Sequence, residues 1–141
     1  MRMLTVVALS LAVLGPAAQA APPLASHPIL GIWKLTLPGG GCAETYRFRG
    51  DGTTLVTSAG EVSESRFEIP AKPSAKGFYK LVDRYVKGNG KQDCSGKVMK
   101  PDASVTHFVH FHPSGTLFVM CAAESFEACI GPFRRVAGQG I

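Results

Sequence analysis

Three histidines, His107, His110 and His112, fall within six residues of one another. On an extended strand, alternation would set His110 and His112 on one face with Phe108, and His107 on the other with Val109 and Phe111. Two imidazoles on one face are the beginning of a metal site. A third ligand would have to come from elsewhere, with Glu44 or His27 as candidates, because two histidines alone hold zinc or copper weakly. The plainer reading is a polar strand face or hairpin end.

A second group is Glu44, Tyr46 and Phe48, which alternation places on one face of a strand. An acid beside two aromatics can be a buried carboxylate that reads a ligand. It can equally be half of an ion pair with Arg66 or Arg84. Asp83, between Leu81 and Tyr85, repeats the pattern. Nucleophilic catalysis finds no support. G-x-S-x-G is absent, and the glycine-rich Gly88-Asn89-Gly90-Lys91 has neither the preceding buried strand nor the following helix that a phosphate loop requires. No catalytic residue and no cofactor are expected, and the chain is read as a non-enzyme.

Cys42, Cys94, Cys121 and Cys129 decide the compartment. An even number of cysteines in an exported chain reads as disulfides. Four allow three pairings, and the expected one is Cys121–Cys129 with Cys42–Cys94. No C-x-x-C spacing favours a thiolate metal site. Export is read from the start of the chain. Arg2 gives a positive start, an apolar run covers residues 4–14, Gly15-Pro16 ends it, and Ala18-Gln19-Ala20 offers a cleavage site. Residues 1–20 are therefore expected to be a signal peptide. The apolar run is too short for a membrane anchor, which needs about 20 apolar residues. The periplasm or the extracellular space is the expected location.

The remaining chain must position these side chains. Residues 21–29 are proline-rich and without periodicity, an expected extended arm. From residue 30 to 136 the two-residue period dominates, with strands expected at 30–37, 43–49, 53–58, 61–69, 78–87, 104–112, 116–121 and 129–136. Gly50-Asp51-Gly52 and Pro113-Ser114-Gly115 are turn sequences. Residues 88–101 form a long polar loop and 137–141 a flexible tail. Eight short strands joined as successive hairpins predict an all-β fold, an antiparallel up-and-down barrel that closes to remove its edges. At that strand number the interior either fills with side chains or holds one small ligand.

Gly31-Ile32-Trp33 opens the first strand and Arg134-Arg135 ends the last. A G-x-W start with a basic residue in the final strand resembles the calycin group, which includes lipocalins, avidins and small bacterial barrel inhibitors. The longer lipocalin signature around the tryptophan is lacking, since Lys34-Leu35-Thr36 follows. The resemblance implies that Trp33 plugs one barrel end and that Arg134 or Arg135 lies across its ring. Residues 42–53 are also similar to small exported proteobacterial proteins to which no function is assigned.

The resemblance and the strand count imply a binding protein. Its partner would be a small apolar molecule in a lipocalin-like barrel, with Glu44, Tyr46 and Phe48 as the ligand-binding candidates. Alternatively it would be a secreted or periplasmic hydrolase, inhibited by protein–protein contact through the arm. A net charge of +5 is spread along the chain rather than gathered in a basic helix, so nucleic acid is not an expected partner. Neither the oligomeric state nor the ligand is legible at this level.

Overall fold

The computed structural model describes residues 24–138. The expected signal peptide and the far end of the tail lie outside them. Strands β1 (Gly31–Thr36), β2 (Ala43–Phe48), β3 (Thr53–Ser58), β4 (Glu61–Glu68), β5 (Tyr79–Gly88), β6 (Ser104–Phe111), β7 (Leu117–Cys121) and β8 (Cys129–Arg135) pair antiparallel in sequence order. β8 returns to β1 through Trp33 opposite Arg135 and Lys34 opposite Arg134, which closes the barrel. The expected up-and-down barrel is thus present, with strand limits within about a residue of those read from alternation. Both disulfides form as expected, Cys42–Cys94 and Cys121–Cys129. Among the described residues no helix is long and apolar enough to cross a membrane.

Alternation fills the interior unevenly. One half of the barrel is a packed apolar core of Ile29, Leu30, Trp33, Leu35, Phe48, Phe67, Leu81, Val109, Phe118, Met120 and Phe133. Each such side chain contributes about 1.5–3 kcal/mol by leaving water. The rings meet edge to face or stacked: Trp33 lies 4.6 Å from Phe118, and Phe118 lies 4.6 Å from Phe133. Phe78 and Phe126 do not join this core. They form a three-ring cluster with His110, with ring centroids 5.0 and 4.9 Å from it and 5.1 Å from each other.

The segment before β1 departs from the expected extended arm. Leu24–Ser26 forms a single 3-10 turn, and His27, Ile29 and Leu30 are buried. Two polar anchors explain it. The His27 ring accepts the Ile29 N–H on Nδ1 at 3.0 Å and reaches the Pro70 carbonyl through Nε2 at 3.1 Å. The Arg135 guanidinium donates to the Pro28 and Leu30 carbonyls at 2.7 and 2.8 Å. Proline content suggested mobility, but these hydrogen bonds and the burial of His27, Ile29 and Leu30 hold the segment over the barrel end.

That end is the stopper the sequence motif implied. Trp33 is fully buried, donates from Nε1 to the Ile29 carbonyl at 2.7 Å, and carries the Arg135 guanidinium 4.1 Å above its ring. A guanidinium over an indole gains about 0.5–2 kcal/mol. The role falls to Arg135 and not to Arg134, which is exposed. A bulge decides this. Phe118 pairs with Phe133 and Met120 with Ile130, so β8 carries one residue more than β7 between them. Ile130 and Phe133 can then both face inward, and Arg135 follows two residues later. Gly31 completes the stopper: at φ +120° a Cβ there would stand 2.7 Å from Arg135 Nη1. The glycine of G-x-W makes room for the guanidinium.

Candidate functional site

The opposite half of the barrel is not filled. Between the core and the mouth lies a cavity of about 140 Å³. Three strands build its polar wall in rungs, because register pairs Glu44 with Ser58 and Ser58 with Glu61 at the mouth. Tyr46, Val56 and Ser63 form the next rung, and Phe48, Thr54 and Ser65 the floor. The facing wall comes from β5 to β8, where Leu81, Val105, Met120 and Ile130 are joined by His107 and by Asp83.

Hydroxyl groups serve the carboxylates. Tyr46 donates to Glu44 Oε2 at 2.6 Å and Ser58 donates to Glu44 Oε1 at 2.7 Å. Asp83 receives the Thr54 hydroxyl at 3.5 Å and that of Ser65. Glu61, 6% exposed, receives the Ser63 hydroxyl. Burial raises the Asp83 carboxyl above its ordinary value, against the hydrogen bonds from Ser65 and Thr54. Burial also raises Glu61, helped by the charges of Asp93 and Glu44 and opposed by Ser63. The Tyr46 phenol is pushed up by burial and then by the neighbouring Glu44, so it remains a neutral donor. Burial lowers His107, which favours the neutral ring.

The long loop after β5 reaches this mouth. Cys94 is tied to Cys42, and its N–H donates to the Ser58 hydroxyl oxygen at 2.9 Å. Asp93 and Met99 thereby join the cavity lining. Asp93 is itself shaped by a local turn, with Oδ1 accepting from Ser95 N–H at 2.8 Å, Ser95 Oγ at 2.7 Å and Lys97 N–H at 2.9 Å. The Cys42–Cys94 bridge, expected as a staple, also fixes one edge of the site.

The residues singled out by sequence divide clearly. Glu44, Tyr46 and Phe48 all line the cavity, and so do Asp83 and His107. Glu44 does not pair with Arg66 or Arg84. Its partners are hydroxyls inside the barrel, and Arg84 instead meets Glu68 at 3.5 Å on the surface. His110 and His112 are not assembled into a metal site. His110 packs in a three-ring cluster with Phe78 and Phe126, while His112 is past the end of β6 and engages Ser114 at 2.9 Å. The two suggested third ligands are committed elsewhere, Glu44 in the cavity and His27 at the closed end. Among the described residues no three His, Cys, Asp or Glu side chains are placed to hold a metal ion.

Glu61, Ser63 and Ser65 were not anticipated. Small hydroxyl residues at every second position of Glu61–Glu68 look like a solvent face, yet they and Phe67 point inward. Their one sequence signal is the continuation of the same face into Phe67. What fold and site define together is a closed antiparallel barrel with one stoppered end and one polar-walled cavity at the other, consistent with a lipocalin-like fold. In comparison with known proteins, the chain matches no family model, no curated protein and no solved structure.

Proposed function

We propose that this chain is an exported, non-catalytic binding protein of calycin-like type that holds a small molecule in the open half of its barrel. The observation that carries the reading is the contrast inside one barrel. A core that packs rings edge to face at one end leaves a cavity of about 140 Å³ at the other, lined by polar side chains that are themselves buried. The lining offers hydrogen-bonding groups on one wall and apolar contact on the other, which is the usual composition of a small-molecule site. The volume is close to that of an engineered cavity of about 150 Å³ that takes up benzene. The ligand is therefore compact, or enters with only one end.

Export is supported by the apolar run and Ala18-Gln19-Ala20 at the start of the sequence, and by two formed disulfides, which suit an oxidising compartment. The outward positions Lys34, Arg47, Arg66, Lys80 and Arg84 are exposed charges, unlike the apolar band of a membrane barrel. An inhibitor that works through an N-terminal arm needs chain free of the barrel, and residues 24–30 are anchored to it.

The test is a fragment screen by methyl NMR. Compounds of roughly benzene size should shift the Leu81, Val105 and Met120 methyl signals. Ser63→Leu, which fills the void, should remove those shifts while the fold persists. A screen in which no fragment moves these signals overturns the reading.

A further inference from the structure

The cavity also specifies the chemistry of its guest, an inference that rests on the binding reading above. Four of the ten acidic residues of the sequence, Glu44, Glu61, Asp83 and Asp93, line it, and neither lysine nor arginine does. This happens in a chain with an excess of basic residues, fifteen against ten. The ion pairs formed among the described residues lie on the barrel exterior, Arg49 with Glu64 and Arg84 with Glu68.

The acids are not a surface cluster. Glu61 is 6% exposed, faces the void, and has no ion-pair partner among the described residues; a single serine hydroxyl serves its carboxylate. A buried carboxylate without a counter-charge is costly. The hydroxyls of Tyr46 and Ser58 spend their hydrogens on Glu44, and those of Ser63, Thr54 and Ser65 stand beside Glu61 and Asp83. What remains directed at the void is acceptor capacity and negative charge. A guest must then bring donors and positive charge. No three of the acids and His107 are placed to hold a metal ion. The facing wall of Leu81, Val105 and Met120 asks for a compact apolar body on the same molecule.

We propose that the open half of the barrel binds a small protonated amine, its N–H donors at Glu61 and Glu44 and its apolar body against Leu81, Val105 and Met120. The donor requirement separates it from neutral alcohols and ketones, and the charge separates it from carboxylates and phosphates, which the acids repel.

The probes are cyclohexylammonium, cyclohexanol and cyclohexanecarboxylate, three isosteres that differ in charge and donor number. They are titrated into the full chain at neutral pH with methyl NMR at Leu81 and Met120 and with calorimetry. The expected result is saturable binding of cyclohexylammonium, at least about tenfold tighter than cyclohexanol, with no binding of the carboxylate. Glu61→Gln should remove the preference for the amine while neutral binding persists, and Glu68→Gln on the exterior should leave it intact. Equal binding of amine and alcohol, tighter binding of the carboxylate, or a preference unchanged in Glu61→Gln overturns the cation inference and leaves the binding barrel standing. Failure of all three probes to move the Leu81 and Met120 signals at millimolar concentration overturns both.

Discussion

The two ends of this barrel use the same kinds of residue for opposite purposes. At the closed end a charged group, Arg135, is fully engaged by carbonyls of residues 28, 30 and 115 and by the Trp33 ring. At the open end Glu61 is buried and Asp83 half-buried, beside hydroxyl groups and without a counter-charge among the described residues. Charge at the first end is a fastening; at the second it is left for something else to neutralise. A buried ionic group stabilises a fold only when its partners are present, and here the partners are present at one end alone.

The contrast can be broken most strongly at the stopper. Trp33→Ala removes the central ring of the closed end and the platform under Arg135, and should cost about 3–5 kcal/mol in a urea melt. A loss below about 1 kcal/mol would mean the end is not the mechanical core of the barrel.

Next come the disulfides, which divide between the global frame and one short loop. Opening Cys42–Cys94, with a sequence separation of 52, should cost about 4 kcal/mol by chain entropy. Opening Cys121–Cys129, with a separation of 8, should cost about 2.5 kcal/mol. Replacing each pair by alanine and comparing the two melts checks the order. Only the first should also alter the mouth, read as a shift of the Met99 methyl signal.

The smallest effect has the opposite sign. Burial raises the Asp83 carboxyl, so the folded state holds its proton more tightly than the unfolded chain. No penalty exists below the ordinary carboxylate value. It sets in as pH rises through that value and is complete above the raised one. Asp83→Asn should therefore raise the melting temperature at neutral pH, by less than any loss above, and the gain should vanish in acid. A variant that is less stable at neutral pH would show that the carboxylate is supported as fully as Arg135 is.

Much of this contrast could be read from residue order, for reasons of range. Alternation and turns are local properties, so the eight strands, the Gly50-Asp51-Gly52 turn and the shared face of Glu44, Tyr46 and Phe48 were all visible. The expected choice among the three cysteine pairings rested on Cys121 and Cys129 bordering one short loop, again a local feature. What escaped depended on single long-range events. The bulge in β8 decides between Arg134 and Arg135 and leaves no mark in hydrophobic pattern. The inward Ser63 and Ser65 look like solvent-facing residues until β3 and β5 enclose them. Residues 24–29 read as part of an arm until the partners of His27 and Arg135, 43 and more than a hundred residues away, are in place.

The Arg135 clamp has a consequence for timing. It joins residues 105 and 107 positions apart, and the β1–β8 seam needs the same distant partners. Contacts of that separation meet a large loop-closure entropy and form late. Until residue 135 is available the first strand lacks one neighbour, the Trp33 ring lacks its cover, and the Pro28 and Leu30 carbonyls lack the guanidinium that holds them. The seven hairpin pairings can thus form along the chain first, and the single β1–β8 seam, with the stopper built on it, is the step that turns an open sheet into a barrel.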